Sequence, residues 1–274
     1  MVVVAQFPEG MRSATLEERK EFYEREFDVS SVDNWLVGKH KTLKFAVIPG
    51  RHSKIFKTEL ENDRDSVFII DIWRNAADLR RWVLKYLPES VYYDRNRYID
   101  VTRCRGCEQK RRSCEGCNNY DGQQLAFDLD PENVDCRVHG TIGDKIDSGR
   151  GMLSFCMIEF ASVRRQAREL AQELREDYDS VSVVYSGRGF HVVIEDETAY
   201  RLTRKERRSI ARRFARRFDI DEWVTEGGSR LLRLPYSLNA LVSRKCMRIK
   251  EERDLARFDP RTSGFVMPDY LKSA

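Results

Sequence analysis

Two five-residue apolar runs, Val181-Ser182-Val183-Val184-Tyr185 and Phe190-His191-Val192-Val193-Ile194, flank Ser186-Gly187-Arg188-Gly189. β-Branched and aromatic residues on both sides of a short glycine-bearing turn specify a β-hairpin, and the glycines supply backbone conformations that other residues resist. The chain is thus expected to build a sheet on this antiparallel pair. A third run, Leu125-Ala126-Phe127-Asp128-Leu129-Asp130, also reads as a strand. Its period-two alternation sets Asp128 and Asp130 on one face and Leu129 on the other. Residues 42–49, 67–73 and 153–160 are further strand candidates, and Val2-Val3-Val4 is strand-like.

Helices are marked by their starts and apolar stripes. Thr15 with Glu18, and Thr203 with Glu206, form capping boxes. Asn75 opens a helix carrying Leu79, Trp82, Val83 and Tyr86 and stopped by Pro88. A helix capped near Ser162 carries Val163, Ala167, Leu170, Leu174 and Tyr178. Helices alternate with strands, several of them hairpin-linked, so the expected class is α/β, or α+β, with mixed sheets flanked by helices.

No stretch approaches the roughly 18 apolar residues of a membrane span, and the start lacks the shape of an export signal. The expectation is a cytoplasmic, nucleoid-associated protein with no membrane partner. The net charge of +4 says little by itself. Four of the seven cysteines fall in Cys104-x2-Cys107-x6-Cys114-x2-Cys117. Two such knuckles suit a structural Zn²⁺ with a closed tetrahedral shell. An iron–sulfur cluster or four free thiols are the alternatives. Cys136 and His139 are two further potential ligands that would replace one pair.

Asp128 and Asp130 suit a hard divalent cation such as Mg²⁺ or Mn²⁺, because paired carboxylates repel unless a cation lies between them. A surface strand ending in aspartates is the plainer reading. Ser186-Gly187-Arg188-Gly189-Phe190-His191 gathers a hydroxyl, a guanidinium, an imidazole and accessible amides around one turn, the donors a triphosphate needs. Without other support it is only a hairpin. Asp221 adds a carboxylate, and Arg230 and Arg233 precede Pro235.

Taken together, in this order, these segments resemble the archaeo-eukaryotic primase superfamily, in particular the small catalytic subunit of archaeal and eukaryotic DNA primase. The likeness runs from about residue 90 to 250. It rests on Phe127-Asp128-Leu129-Asp130, on Ser186 to His191, and on Asp221, Val224-Thr225 and Leu231-Leu232-Arg233-Leu234-Pro235-Tyr236-Ser237-Leu238. The resemblance implies that Asp128, Asp130 and Asp221 bind two Mg²⁺ or Mn²⁺ ions. It further implies that Ser186, Gly187, Arg188, His191 and Arg233 hold an incoming nucleotide. The activity implied is template-dependent nucleotidyl transfer, a DNA primase/polymerase making or extending short primers. The fold implied is an RNA-recognition-like sheet facing a second α/β half. Where the family has a second histidine, this sequence has Asn239, and the family's zinc site usually follows the paired aspartates, near Cys136 and His139.

Nine basic residues and one acid lie between Arg201 and Arg217. One-sign clustering on a helix favours a polyanion, though a plain surface or a docking face for a partner subunit also fits. Arg95 and Arg97, interleaved with Tyr92, Tyr93 and Tyr98, read with Lys110-Arg111-Arg112 as a second patch that stacks bases. The partners expected are single-stranded DNA template and nucleoside triphosphates, with a primase large subunit or a repair partner as a further possibility. The expected layout is an N-terminal half of the core (1–99), a zinc knuckle (100–120), a catalytic half (121–250) and a tail (251–274). Two other functions fit the same residues. One is an end-joining repair polymerase of the same superfamily, and the other a non-catalytic zinc-containing nucleic-acid-binding subunit.

Overall fold

The structure, a computed structural model, describes residues 5–39, 44–71, 75–104, 114–228 and 231–272. The strands are β1 (Phe45–Ile48), β2 (Phe68–Ile70), β3 (Ser90–Asp94), β4 (Asn96–Tyr98), β5 (Tyr120–Gln123), β6 (Leu125–Leu129), β7 (Val181–Tyr185), β8 (Phe190–Ile194), β9 (Leu231–Arg233), β10 (Leu238–Asn239), β11 (Arg244–Lys245) and β12 (Met247–Ile249). The helices are α1 (Leu16–Arg25), α2 (Val29–Asp33), α3 (Ala76–Tyr86), α4 (Ile142–Asp147), α5 (Met157–Asp177), α6 (Glu197–Tyr200), α7 (Arg204–Ala215), α8 (Glu222–Glu226) and α9 (Glu252–Arg257).

Two four-stranded sheets carry the fold, one ordered β2-β1-β3-β9 and the other β12-β7-β8-β6. All pairings between described strands are antiparallel, so the mixture lies in helices with strands and not in strand direction. The glycine-turn hairpin forms over the residues expected, with Tyr185 opposite Phe190 and Val181 opposite Ile194. β6 joins its outer side with Asp128 opposite His191.

Alternation along β6 and β8 gives the second sheet two different faces. Leu125, Phe127 and Leu129, with Phe190, Val192 and Ile194, pack against Phe160, Val163, Leu170 and Leu174 of α5 and Phe214 of α7. Full burial of each such side chain stabilises the fold by roughly 1.5–3 kcal/mol. Ala126, Val184 and Val193 point the other way, into a core shared with Phe45, Val47, Val91 and Tyr93 of the first sheet. Asp128 is in step with Ala126 and His191 with Val193, so both face the side on which the two sheets meet.

Several expectations need adjustment. Residues 153–160 are not a strand. Helix α5 begins at Met157, with Glu159 closing a capping box to Cys156. The second half of the apolar run is the first turn of that helix, because Phe160 and Val163 continue the three-four spacing of the stripe. Helix α7, opened by the Thr203 capping box, ends at Ala215, short of the Phe218 to which the basic, apolar-striped pattern of the sequence extends. The Tyr/Arg segment is not an exposed stacking patch: Tyr93, Tyr98, Arg95 and Arg97 are all buried. Arg95 donates to the carbonyls of Gln124 (3.0 Å) and Val224 (2.6 Å). Arg97 pairs with Glu197 at 2.6 Å and lies over the Tyr200 ring. Val2–Val4 lie outside the described residues, as do Cys107 and Lys110–Arg112.

Candidate active site

Asp128 stands near the end of β6, and Asp130 follows it at the entry to a 3₁₀ turn over Pro131–Asn133. Asp221 caps α8, its Oδ1 accepting the Trp223 amide at 2.8 Å. The Asp221 amide in turn donates to the carbonyl of Asp128 (3.0 Å), which ties the third aspartate to the first. All three side chains are half-buried. Burial pushes the Asp128 carboxyl well above its usual range, and the charges of Asp130, Asp221 and Glu132 add to the shift. One oxygen of Asp128, Oδ1, is buried without a hydrogen bond. Crowded, half-desolvated carboxylates with an unpaired buried oxygen are what a hard divalent cation relieves.

Glu132 is the residue that sequence reading passed over. It sits 5% exposed in the 3₁₀ turn, and its Oε1 lies 2.6 Å from Nη2 of Arg188. Burial, reinforced by Asp130, raises its carboxyl to about 7 although Arg188 pulls it down. The available signal was its place two residues after Asp130, behind a proline that forces the turn.

The hairpin turn supplies the donor side. Ser186 Oγ accepts the Gly189 amide (3.0 Å), and Asn239 Nδ2 donates to the Ser186 carbonyl (3.1 Å). Asn239 is wholly buried and also accepts the Leu241 amide, so it braces the turn from behind. Gly187 has φ +98°, and a Cβ there would overlap the Asn239 side chain. A Cβ on Gly189 would overlap the Leu129 carbonyl, so this glycine lets the turn press against the end of β6. Among the described residues, the amides of Gly187 and Arg188 donate to no other group. His191 Nε2 lies 3.3 Å from Asp128 Oδ1. Burial, with Arg233 and Arg95 nearby, lowers this imidazole to about 3 and keeps it neutral.

The first sheet adds a cross-strand pair, Tyr92 of β3 opposite Arg233 of β9. Arg233 donates to the Tyr92 hydroxyl at 3.2 Å and lies over its ring, while its Nη1 is buried without a partner. Arg233 is near enough to influence His191, and Tyr92 near enough to influence Arg188. The two sheets therefore contribute to one polar seam.

A separate cluster lies behind the paired aspartates. Ligand atoms of Cys136, His139, Cys156 and Glu159 all fall within 4.8 Å of one another. Glu159 is already engaged, pairing with Lys145 at 2.5 Å and accepting the Cys156 amide at 2.6 Å. Two sulfurs and an imidazole remain, a donor set that suits Zn²⁺. Cys156 was not expected here, and its Cys-x2-Glu spacing was the available signal. Of the four-cysteine knuckle, Cys107 is outside the described residues, as is the side chain of Cys104. Cys117 is exposed, and the sulfur of Cys114 lies 3.4 Å from the Tyr98 hydroxyl.

The model of the DNA primase small subunit family matches residues 127–219. An uncharacterized DNA primase small subunit-like protein of Archaeoglobus fulgidus is 48% identical over 271 residues, covering 98% of this chain and 94% of that one. The DNA primase small subunit PriS of Thermococcus onnurineus is 28% identical over 204 residues, covering 74% of this chain and 50% of the relative. The chain thus spans about half the length of that PriS protein. Among solved structures, the polymerase domain of Mycobacterium tuberculosis ligase D, in complex with DNA, matches with a TM-score of 0.50 and 15% identity. That match covers 92% of this chain and 87% of the other, and at this identity it is a likeness of fold.

Proposed function

Because the chain belongs to the DNA primase small subunit-like family, we propose that its seam is a primase-polymerase site joining nucleotides on a single-stranded DNA template. The observation that carries this reading is the convergence of Asp128, Asp130 and Asp221 beneath the Ser186–Gly189 turn, with a buried oxygen on Asp128 that accepts no hydrogen bond. These three residues would hold two divalent cations. Such cations, when bound, supply charge neutralisation and ease deprotonation of a 3′-hydroxyl.

The chain's own groups then position the nucleotide. The free amides of Gly187 and Arg188 and the Ser186 hydroxyl face phosphate oxygens as neutral donors. Arg188 and Arg233 supply the cationic contacts, and neutral His191 donates without adding charge. Holding primer end and nucleotide in line is most of what such a site has to do. Zn²⁺ on Cys136, His139 and Cys156 would brace the segment that follows the paired aspartates.

The template is proposed to run along α7. Arg204 and Arg208 pair with Glu226, Arg213 with Asp177, and Arg217 with Glu173. Arg207 is buried. Lys205, Arg212 and Arg216 line one surface groove, and none has a carboxylate partner among the described residues. Phosphates suit such a stripe.

Extension assays test the reading and its rival. Products from template and nucleotides alone, in Mg²⁺ or Mn²⁺, are expected for a primase. Extension confined to a gapped duplex bearing a 5′-phosphate would instead favour the end-joining repair polymerase. DNA binding without incorporation on any substrate would overturn the enzymatic reading of the isolated chain.

A further inference from the structure

Arg188 lies between two carboxylates. Its Nη2 is 2.6 Å from Glu132 Oε1 and 3.7 Å from Asp130 Oδ1, while Nη1 donates to the Leu153 carbonyl at 3.4 Å. Arg188 is only 8% exposed, so water does little to loosen it. It also has little freedom to leave. The next residue, Gly189, is pressed so closely on the end of β6 that a Cβ there would lie 3.1 Å from Asp130 Oδ1. Arg188 therefore stands within reach of both carboxylates and is nearer to Glu132.

The two carboxylates are not equivalent. Asp130 is a proposed cation ligand, and an arginine closed on it competes directly with the cation. Glu132 is not part of the aspartate set. It engages Arg188 through one oxygen only, and its Oε2 is buried without a partner. Arginine–carboxylate pairs are frequently bidentate, with two parallel bonds. The single contact holds the guanidinium through Nη2, with Nη1 on the Leu153 carbonyl and Asp130 Oδ1 next nearest.

We propose that Glu132 is a positioning residue: it holds the Arg188 guanidinium off Asp130, keeping that carboxylate open to a divalent cation and the arginine directed toward phosphate. This rests on the metal-site reading of the three aspartates. It concerns a residue outside the motifs that carry the family resemblance.

The test is Mn²⁺ binding to the intact chain without nucleotide, followed by electron paramagnetic resonance. Wild type is compared with Glu132→Gln, Arg188→Gln, the double variant and Asp130→Asn, each checked for an unchanged circular dichroism spectrum. Glu132→Gln is expected to weaken Mn²⁺ binding roughly tenfold, and the double variant to recover the affinity of Arg188→Gln alone, the signature of coupled groups. A Glu132 that merely supports the fold would show no such recovery. Wild-type affinity in Glu132→Gln, or a double variant as weak as Glu132→Gln, overturns the proposal while leaving the metal centre standing. Unchanged binding in Asp130→Asn overturns the metal centre itself, and the proposal with it.

Discussion

Arg19, Arg95, Arg207 and Arg244 are fully buried or nearly so, and each donates to several backbone carbonyls. In the sequence they look like any other arginine, and two of them sit in stretches that read as nucleic-acid-binding. Nothing local separates a staple from a phosphate contact, because the carbonyls that Arg95 meets come from Gln124 and Val224. Glu132 was hidden for the same reason, since its partner is Arg188. Its environment gives a pH prediction. The native carboxyl keeps its proton up to about 7, against an ordinary value of 4.5. Native Glu132 thus favours folding at acid pH, and that contribution, on the order of 3 kcal/mol, is lost as pH rises through about 7. Asp128 shifts in the same direction. In buffer free of Mg²⁺ and Mn²⁺, thermal melts of wild type should fall from about pH 5 to about pH 8 more steeply than those of Glu132→Gln. Equal slopes would contradict the assigned environment. At Gly187, substitution by alanine meets both a positive φ and the Asn239 side chain, and should cost about 1–3 kcal/mol in denaturant unfolding.

Local signals worked best for whole elements. The two capping boxes, the Asn75 start and the hairpin were all legible because each depends on residues within a few positions. The α5 start was misread, since an apolar run such as 153–160 satisfies strand and helix periods alike. Helix α7 shows a subtler limit. Its charge count was legible, but the acids that pair with it lie on α5 and α8. Its proposed template stripe therefore shrinks to Lys205, Arg212 and Arg216. Replacing these three with alanine should weaken single-stranded DNA binding and flatten the log–log salt dependence by about 2, because each phosphate that a cation neutralises adds about 0.7 to the slope. Fluorescence anisotropy across a salt series checks this. An unchanged slope would move the template elsewhere.

At the scale of the molecule, the proposed chemistry sits on the seam between two sheets. Asp128 and His191 come from one, Tyr92 and Arg233 from the other, each pair set cross-strand by register. The order of the motifs made Asp128, His191 and Arg233 legible as candidates, while Tyr92, read as part of a base-stacking patch, depended on how the strands pair. The same holds for Cys136 and Cys156, whose sulfurs lie 3.8 Å apart although twenty residues separate them in sequence. If that cluster holds zinc, Cys156→Ser should lose one metal equivalent by elemental analysis and lower the melting temperature, since a structural zinc contributes directly to folding. Unchanged zinc content would remove the cluster from the metal reading.

The most direct test of the central claim is nucleotide incorporation on primed single-stranded template by the intact chain, beside Asp128→Asn and Asp221→Asn. Both variants keep the shape of the side chain, and unchanged melting curves would show that they fold. The account expects incorporation by wild type in Mg²⁺ or Mn²⁺ and a fall of roughly a thousandfold or more in each variant, the loss that follows when charge stabilisation is removed. Variants that incorporate at the wild-type rate would contradict it, and the site would have to be sought away from the seam.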